Sequence, residues 1–315
     1  MNITIATFNC ENLFNRFKFS EKATEAKITA AVQNGFIIDK KLFKTLIAPE
    51  KELTAKAILA TNADIIALQE VENLDTLKSF NSKYLKGNYP YSLVIDGNDP
   101  RLIDVAVLSK YPFELIKTHQ FLKKGSNKIF SRDCLQVQFS INGQALTLFI
   151  NHFKSMLDKT AKDEIESRKN TAPKRKLQAK TVLDIISQTF GATPEQHLWA
   201  VLGDFNDYPD KICSVNELIN SPWLENIVKT KLPAEEQWTH FWDTTKAKAK
   251  LPEYYKQIDY LLPSLALANK LVGNPTIYRE GITTNAVLYT GKRMKEVSAK
   301  IAASDHCPVV ATFNI

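Results

Sequence analysis

The chain has 315 residues, 44% of them hydrophobic, with 41 Lys and Arg against 34 Asp and Glu and a formal charge of +7. This length and apolar content suffice for a sizeable buried core and exclude a chain disordered over most of its length; no apolar run approaches the ~18 residues of a membrane span. The basic balance fits an anionic partner such as nucleic acid or a phospholipid head group, and equally fits an ordinary mildly basic intracellular protein.

Residues 2–9 read as a strand. Residues 15–50 are mixed and charged, with Gly35 as the stop of a helix over EKATEAKITAAVQN. KELTAKAILAT, from Lys51, predicts a short helix leading into the strand ADIIALQEV, and Asn73 precedes a helical pattern at Leu74, Leu77 and Tyr84. Strand-type segments follow at YSLVI from Tyr91, LIDVAVLS from Leu102, CLQVQFSI from Cys134 and ALTLFINHF from Ala145; Asn142-Gly143 between the last two is a hairpin signal. Residues 154–172 are polar, and a helix is predicted from Pro173 to about Phe190, with Pro in its first turn and Leu177, Val182, Leu183 and Ile186 on its inner face. The strand ending at Asp204, a small helix near SVNELIN, an irregular Trp-containing stretch, the strand opening at Asp259 and a final strand complete the chain. There is no internal repeat and no Gly-, Ser- or Pro-rich linker, so residues 1–315 are expected to form a single mixed α/β domain. Several strand pairs read as antiparallel, which favours two packed sheets with outer helices over a doubly wound parallel sheet.

The four cysteines, Cys10, Cys134, Cys213 and Cys307, form no CxxC pair and no zinc-type spacing. Cys10 and Cys307 fall in expected core strands, where free thiols act as small apolar groups. With a strand starting at the first residue and no basic, apolar or cleavage region before it, the expected location is cytoplasmic. A chain whose signal peptide had been removed would read the same.

Polar residues recur at strand ends. Apolar runs stop at Asn9, Glu70, Asn151-His152 and Asp204, and Asp259 and Asp305-His306 open two more. Carboxylates, amide oxygens and imidazoles are the parts needed for a hard divalent cation and for proton transfer, which points to metal-assisted hydrolysis of a phosphate ester. Singly these signals are weak: Ser304-Asp305-His306 also reads as a surface hydrogen bond, and Gly203-Asp204-Phe205-Asn206 as a local turn. Glu70 is more telling, because a carboxylate at the tail of IIALQ is costly to bury unless paired or metal-bound.

Taken in order, TFNCENLF, ALQEVEN, NHFKS, LGDFND, QIDYLL and SDHCPV resemble the motifs of the endonuclease/exonuclease/phosphatase superfamily over roughly residues 2–314. The resemblance implies an α/β fold, a four-layer α/β/β/α sandwich of two packed mixed sheets flanked by helices. It also implies hydrolysis of phosphate esters with Mg²⁺ or Mn²⁺. It makes Glu70 the principal metal carboxylate, assisted by Asn9 and Asp305. Asp204 becomes the residue that orients or deprotonates the attacking water, and Asn206 its partner. His306 becomes the group that stabilises charge or protonates the leaving group, oriented by Asp259. The second histidine, His152, and the segment Phe130-Ser131-Arg132-Asp133 resemble pancreatic-type deoxyribonucleases. Asp104 is then the expected carboxylate for His152, and Arg132 and Asn151 the expected phosphate contacts. His119, His197 and His240 match no motif and read as ordinary histidines.

The motifs Gln257-Ile258-Asp259-Tyr260 and Asn206-Asp207-Tyr208 depart from those of phosphoinositide phosphatases and weigh against an inositol lipid substrate. From Lys154 to Lys180 nine basic residues face four acidic ones. Lys174, Arg175 and Lys176 there, and Lys292, Arg293 and Lys295 before the Asp305 motif, are candidates for tracking a polyanionic backbone; a solvated helix face and a loop are the alternative. The expected substrate is DNA or RNA cut with little sequence preference by a monomer. A phosphatase or phospholipase-type enzyme acting on small or lipid esters is the alternative, and a non-catalytic anion-binding module a third reading of another class.

Overall fold

The computed structural model describes residues 1–14, 17–19, 24–33, 43–45, 49–243 and 250–315. Two sheets lie face to face. One has six strands in the order Leu271–Ile277, Val309–Asn314, Asn2–Leu13, Ile65–Val71, Asp104–Ser109, Tyr91–Val94. The other has five, in the order Asp259–Pro263, Trp199–Asp204, Gln144–His152, Cys134–Ile141, Leu115–Lys117. Each sheet contains one parallel pair, Asn2–Leu13 with Ile65–Val71 and Gln144–His152 with Trp199–Asp204; the remaining pairs are antiparallel. Both sheets are therefore mixed, and the four-layer α/β/β/α sandwich expected from the sequence is the fold.

Period-two alternation builds the layers. Ile3, Ile5, Ile65 and Ala67 of one sheet and Leu146, Leu148, Ile150, Ala200, Leu202 and Leu261 of the other belong to the core between the sheets. The intervening residues face outward. Ala6, Phe8, Ile66 and Leu68 meet Leu53, Ile58, Leu77 and Phe80 of the two helices covering the first sheet. Phe149, Trp199, Val201, Tyr260 and Leu262 meet Val182, Ile185 and Ile186 of a long helix covering the second.

That helix spans Glu164–Phe190, nine residues longer at its start than the sequence predicts. Its N-terminus is set by Asp163, whose side chain accepts the Glu166 amide at 2.8 Å, and Pro173 lies inside it. The polar stretch before Pro173 is helical because its polar residues are buried against partners. Arg168 and Arg175 clasp the fully buried Asp207, with Arg168 Nε 2.7 Å from Oδ1 and Arg175 Nε 3.2 Å from Oδ2. Arg168 also bonds Asp210. Arg175, fully buried, therefore cannot track a nucleic-acid backbone. Lys174 turns its ammonium to the carbonyl of Lys128, whereas Lys176 is exposed.

The strands Leu115–Lys117 and Leu271–Ile277 were not legible beforehand. Both are edge strands, and Gly273 and Pro275 within the second break the usual strand pattern. The first strand runs on to Leu13, four residues past the predicted end. Cys307 lies just before the final strand and is buried in the inter-sheet core, and all four cysteines are free. The Gly35 helix stop lies outside the described residues. Among the described residues no helix is long and apolar enough to cross a membrane.

Candidate active site

The site is the end of the inter-sheet core. In each central strand the inward-facing parity runs on from the apolar core into polar residues. Ile3, Ile5 and Thr7 lead to Asn9; Leu148 and Ile150 lead to His152; Ala200 and Leu202 lead to Asp204; Leu261 is preceded by Asp259. Register brings them level: His152 pairs with Asp204, and Asp204 with Asp259. Gly203 makes the first pairing possible. Its φ is +131° and a Cβ there would lie 1.9 Å from the Asn151 carbonyl oxygen, so only glycine lets these strands run this close.

Glu70 breaks the parity. Strict alternation would send it outward with Ile66 and Leu68. Instead the ladder to both neighbouring strands shifts register here, and Glu70 takes a φ of +64°. The kink aims its carboxylate into the recess, a local strain of the kind that persists at functional sites.

A cavity of about 170 Å³ is lined by Glu70, Arg101, Arg132, His152, Asp204, Asn206, His240, Asp305 and His306, among others. Asp204 sits at its floor. Its Oδ2 accepts Asn9 Nδ2 at 3.0 Å and Asn206 Nδ2 at 2.9 Å, and its Oδ1 accepts the Asn206 amide at 2.7 Å. His152 Nε2 lies 3.5 Å from Asp204 Oδ2 and 3.9 Å from Glu70 Oε1, and His306 Nε2 lies 4.0 Å from Asp204 Oδ2. His306 Nδ1 is 2.9 Å from Asp259 Oδ2, which also accepts the Thr239 hydroxyl at 2.8 Å.

The two histidines differ in charge. Burial would push His306 down, but the carboxylates of Asp259, Asp305 and Asp204 outweigh it and hold the imidazole well above its ordinary range. Burial, then the charges of Arg132, His306 and Arg101, hold His152 well below that range, so it is neutral. Burial pushes Asp204 up to about 7, against the pull of His306. A protonated imidazole thus stands beside a carboxylate poised to exchange a proton near neutral pH.

Several expectations need correction. Asp104 does not pair with His152: it accepts the Gly97 amide at 2.8 Å, burial pushes its carboxyl up to about 6, and His152 Nδ1 is buried without a hydrogen-bond partner. Asn151 has the outward parity of Phe149; its Nδ2 bonds the Phe149 carbonyl at 3.0 Å, it is fully buried, and it does not line the recess. Arg132 does line it, anchored on Asp99 at 3.1 Å and the Phe153 carbonyl at 2.5 Å. Arg293 is held by the carbonyls of Ile282 and Ala286, leaving Lys292 and Lys295 as the exposed members of that candidate trio. Asn9 turns its oxygen to the Glu11 amide and its nitrogen to Asp204, so as placed it supports Asp204 and offers no oxygen to the recess.

Four residues were missed. Glu11 accepts the Asp305 amide at 3.0 Å, and burial, then the charge of Asp305, pushes its carboxyl up to about 7. Arg101 grips Asp99 and lines the recess. Thr239 holds Asp259, and the His240 ring packs against that of His306 at a tilt of 60°, with centroids 4.6 Å apart. WTHFW, upstream of the Asp259 strand, was the available signal for the last two; Arg101 sits in a loop with none.

The carboxylates fit a hard divalent cation. Among the described residues no hydrogen-bond donor reaches Glu70 Oε1, while Oε2 accepts the Asn12 amide at 3.1 Å. Glu70 and Asp305 keep 19% and 38% of their side chains exposed at the recess, where such an ion could also retain waters. A second cavity, of about 380 Å³, shares Met156, His240 and Trp242 with the recess and extends it past Leu157, Tyr208 and Tyr254.

A family model described as "Endonuclease/Exonuclease/phosphatase family" matches residues 4–309. Among solved structures, truncated Caenorhabditis elegans TDP2 aligns over 100% of this chain and 98% of its own, at 17% identity and a TM-score of 0.60. An AP endonuclease from Archaeoglobus fulgidus aligns over 99% and 100%, at 14% identity and a TM-score of 0.56. An endonuclease/exonuclease/phosphatase family protein from Leptotrichia buccalis aligns over 99% and 100%, at 16% identity and a TM-score of 0.56. At such identities the likeness is one of fold. No match is found among curated protein sequences.

Proposed function

Because the chain belongs to the Endonuclease/Exonuclease/phosphatase family, we propose that it is a divalent-metal-dependent phosphodiester hydrolase, a nuclease of little sequence specificity. One observation carries the reading. Glu70, Asp204, His152, Asp305 and His306 reach a single recess from both sheets, with two of them perturbed toward opposite protonation tasks.

Glu70 and Asp305 are the residues that would hold Mg²⁺ or Mn²⁺, whose chemistry there is Lewis-acid offset of charge on phosphate oxygens. Asp204, held by Asn9 and Asn206, orients a water and accepts its proton. His306, kept charged by Asp259, donates to the leaving oxygen or to the charge that builds on the phosphorus centre. Neutral His152 offers Nε2 to the phosphate from the opposite side. Arg132 and Arg101 place fixed positive charge at the rim for the same oxygens. An AP endonuclease among the solved structures of this fold supports a nucleic-acid substrate.

A small or lipid phosphoester is the second reading, favoured by the apolar cavity that continues the recess past Leu157, Trp242 and Tyr254. Plasmid, single-stranded DNA, RNA, a chromogenic diester and a monoester, each assayed with Mg²⁺, with Mn²⁺ and with excess chelator, separate the two. The nuclease reading expects metal-dependent cleavage of polynucleotide well above that of the small esters. Full activity in chelator, or turnover confined to small or lipid esters, would overturn it.

A further inference from the structure

We propose that His240, Asp305 and His306 form a second metal site, overlapping the reactive recess at Asp305 and His306, for zinc or another borderline transition-metal ion, and that filling it switches the enzyme off. The inhibitory half rests on the function proposed above; the site itself does not. His240 Nε2 lies 3.4 Å from Asp305 Oδ2, and His306 Nε2 lies 3.7 Å from Asp305 Oδ1. One donor atom from each of the three residues falls within 4.8 Å of the others. Ligands ~2.1 Å from a tetrahedral ion stand about 3.4 Å apart, so little movement is needed to close this set on zinc.

The backbone holds the donors in place. His240 and His306 face each other as an antiparallel bridge, the Phe241 amide donates to the Asp305 carbonyl at 3.1 Å, and the Cys307 amide donates to the Thr239 carbonyl at 2.7 Å. Asp259 already occupies His306 Nδ1, which fixes the ring and leaves Nε2 as the coordinating nitrogen. A carboxylate behind a histidine is the arrangement that orients metal-ligating imidazoles.

The chemistry selects against magnesium. Mg²⁺ takes oxygen donors and gives up water reluctantly, whereas two imidazoles and one carboxylate with an open fourth position suit zinc. Borderline ions late in the first row also bind nitrogen sites more tightly than earlier ones. Nothing in the proposed reaction uses His240. Capture of an ion would tie up the His306 nitrogen that must carry the proton and would compete for Asp305.

The test uses Co²⁺ alone as the optical probe, added to the intact protein in excess Mg²⁺. The expected result is one equivalent bound with the intense visible bands of four-coordinate cobalt, bleached by Zn²⁺. His240→Ala should weaken cobalt and zinc binding by at least ~100-fold, the upper end of what loss of a mere orienting partner causes. His240→Asn, with a shorter neutral side chain, serves the same purpose if the alanine variant misfolds by circular dichroism. In parallel, Zn²⁺ should lower wild-type turnover reversibly, and the ratio of turnover with and without zinc should return to one in the variant. Absent bands, or bands unchanged in both variants, would overturn the site. Zinc inhibiting the variant as strongly as the wild type would overturn the switch. A protein with no turnover on any substrate would sink the nuclease reading while the cobalt bands still decide the site.

Discussion

Two buried clusters of charge lie at the same end of the second sheet, and they are built on opposite plans. Around Asp207, two arginines meet two aspartates. Asp207 accepts from Arg168, Arg175, the Tyr208 amide and the Ser214 amide and hydroxyl, and Arg168 forks onto Asp210 and lies over the Tyr208 ring. The cluster around Asp204 is lopsided. Asp204 and Glu11 are both pushed up to about 7. His152 keeps a ring nitrogen unsatisfied, and Glu70 is held in a strained backbone conformation. A closed, balanced network stabilises a helix against a sheet. An unbalanced one opening on a cavity keeps partners in reserve for something that arrives from outside.

The largest expected effects break the second cluster without touching the first. His306→Ala and Asp204→Asn should each lower kcat by roughly 10²–10⁴-fold, the usual contribution of a general acid or base, with a small change in KM. Near-normal kcat in either variant would remove that residue from the chemical step. The opposite plan is expected for Asp207→Ala. Leaving Arg168 and Arg175 buried without their carboxylate should cost about 3–5 kcal/mol in denaturant unfolding, with kcat retained below the new melting point. An Asp207 variant as stable as the parent would erase the distinction between the clusters.

The pH profile sharpens the comparison within the site. As the proposed base, Asp204 works deprotonated, so kcat should rise through an acid limb near pH 7. His306, as the proposed acid, works protonated and is held well above its usual range, so activity should fall only in an alkaline limb well beyond that of an ordinary histidine. Asp259→Asn removes the closest carboxylate raising His306 and should move the alkaline limb to lower pH; an unmoved limb would assign it to another group. The smallest effect concerns the exposed bases. Neutralising Lys176, Lys292 and Lys295 should flatten the log–log salt dependence of DNA binding by about 0.9 for each one that touches a phosphate of the duplex. An unchanged slope would make them solvated surface.

Much of this was legible because strand parity and site chemistry coincide. Asn9, His152, Asp204 and Asp259 continue the inward face of apolar strands, so an alternating run that ends in a polar residue announces both core and site. The same rule places Asn151 outward, a distinction the pair Asn151-His152 does not make until the register is known. Glu70 was identified by its chemistry although parity sends it the wrong way; the bulge that redirects it leaves no mark in IIALQEV. Arg175 looked like a free surface base in a run of cations, because the carboxylate that buries it, Asp207, lies 32 residues away. His240 and Thr239 were hidden for a similar reason. They enter at a two-residue strand, His240–Phe241, with Thr239 just before it, too short to show any periodicity.

The order of strands in the six-stranded sheet has a consequence for synthesis. Val309–Asn314 is an interior strand, lying between Leu271–Ile277 and Asn2–Leu13, and pairs Asn2 with Asn314. Strand Asn2–Leu13 must therefore wait for Val309–Asn314, and the long sequence separation of that pairing slows its closure. Asp305 and His306 arrive only just before it. A nascent chain on the ribosome, with these residues still in the exit tunnel, holds Glu70, His152 and Asp204 but neither the charged imidazole nor the strand that seats it. The proposed catalytic set is thus completed only after its last contributors have emerged and that ladder has closed.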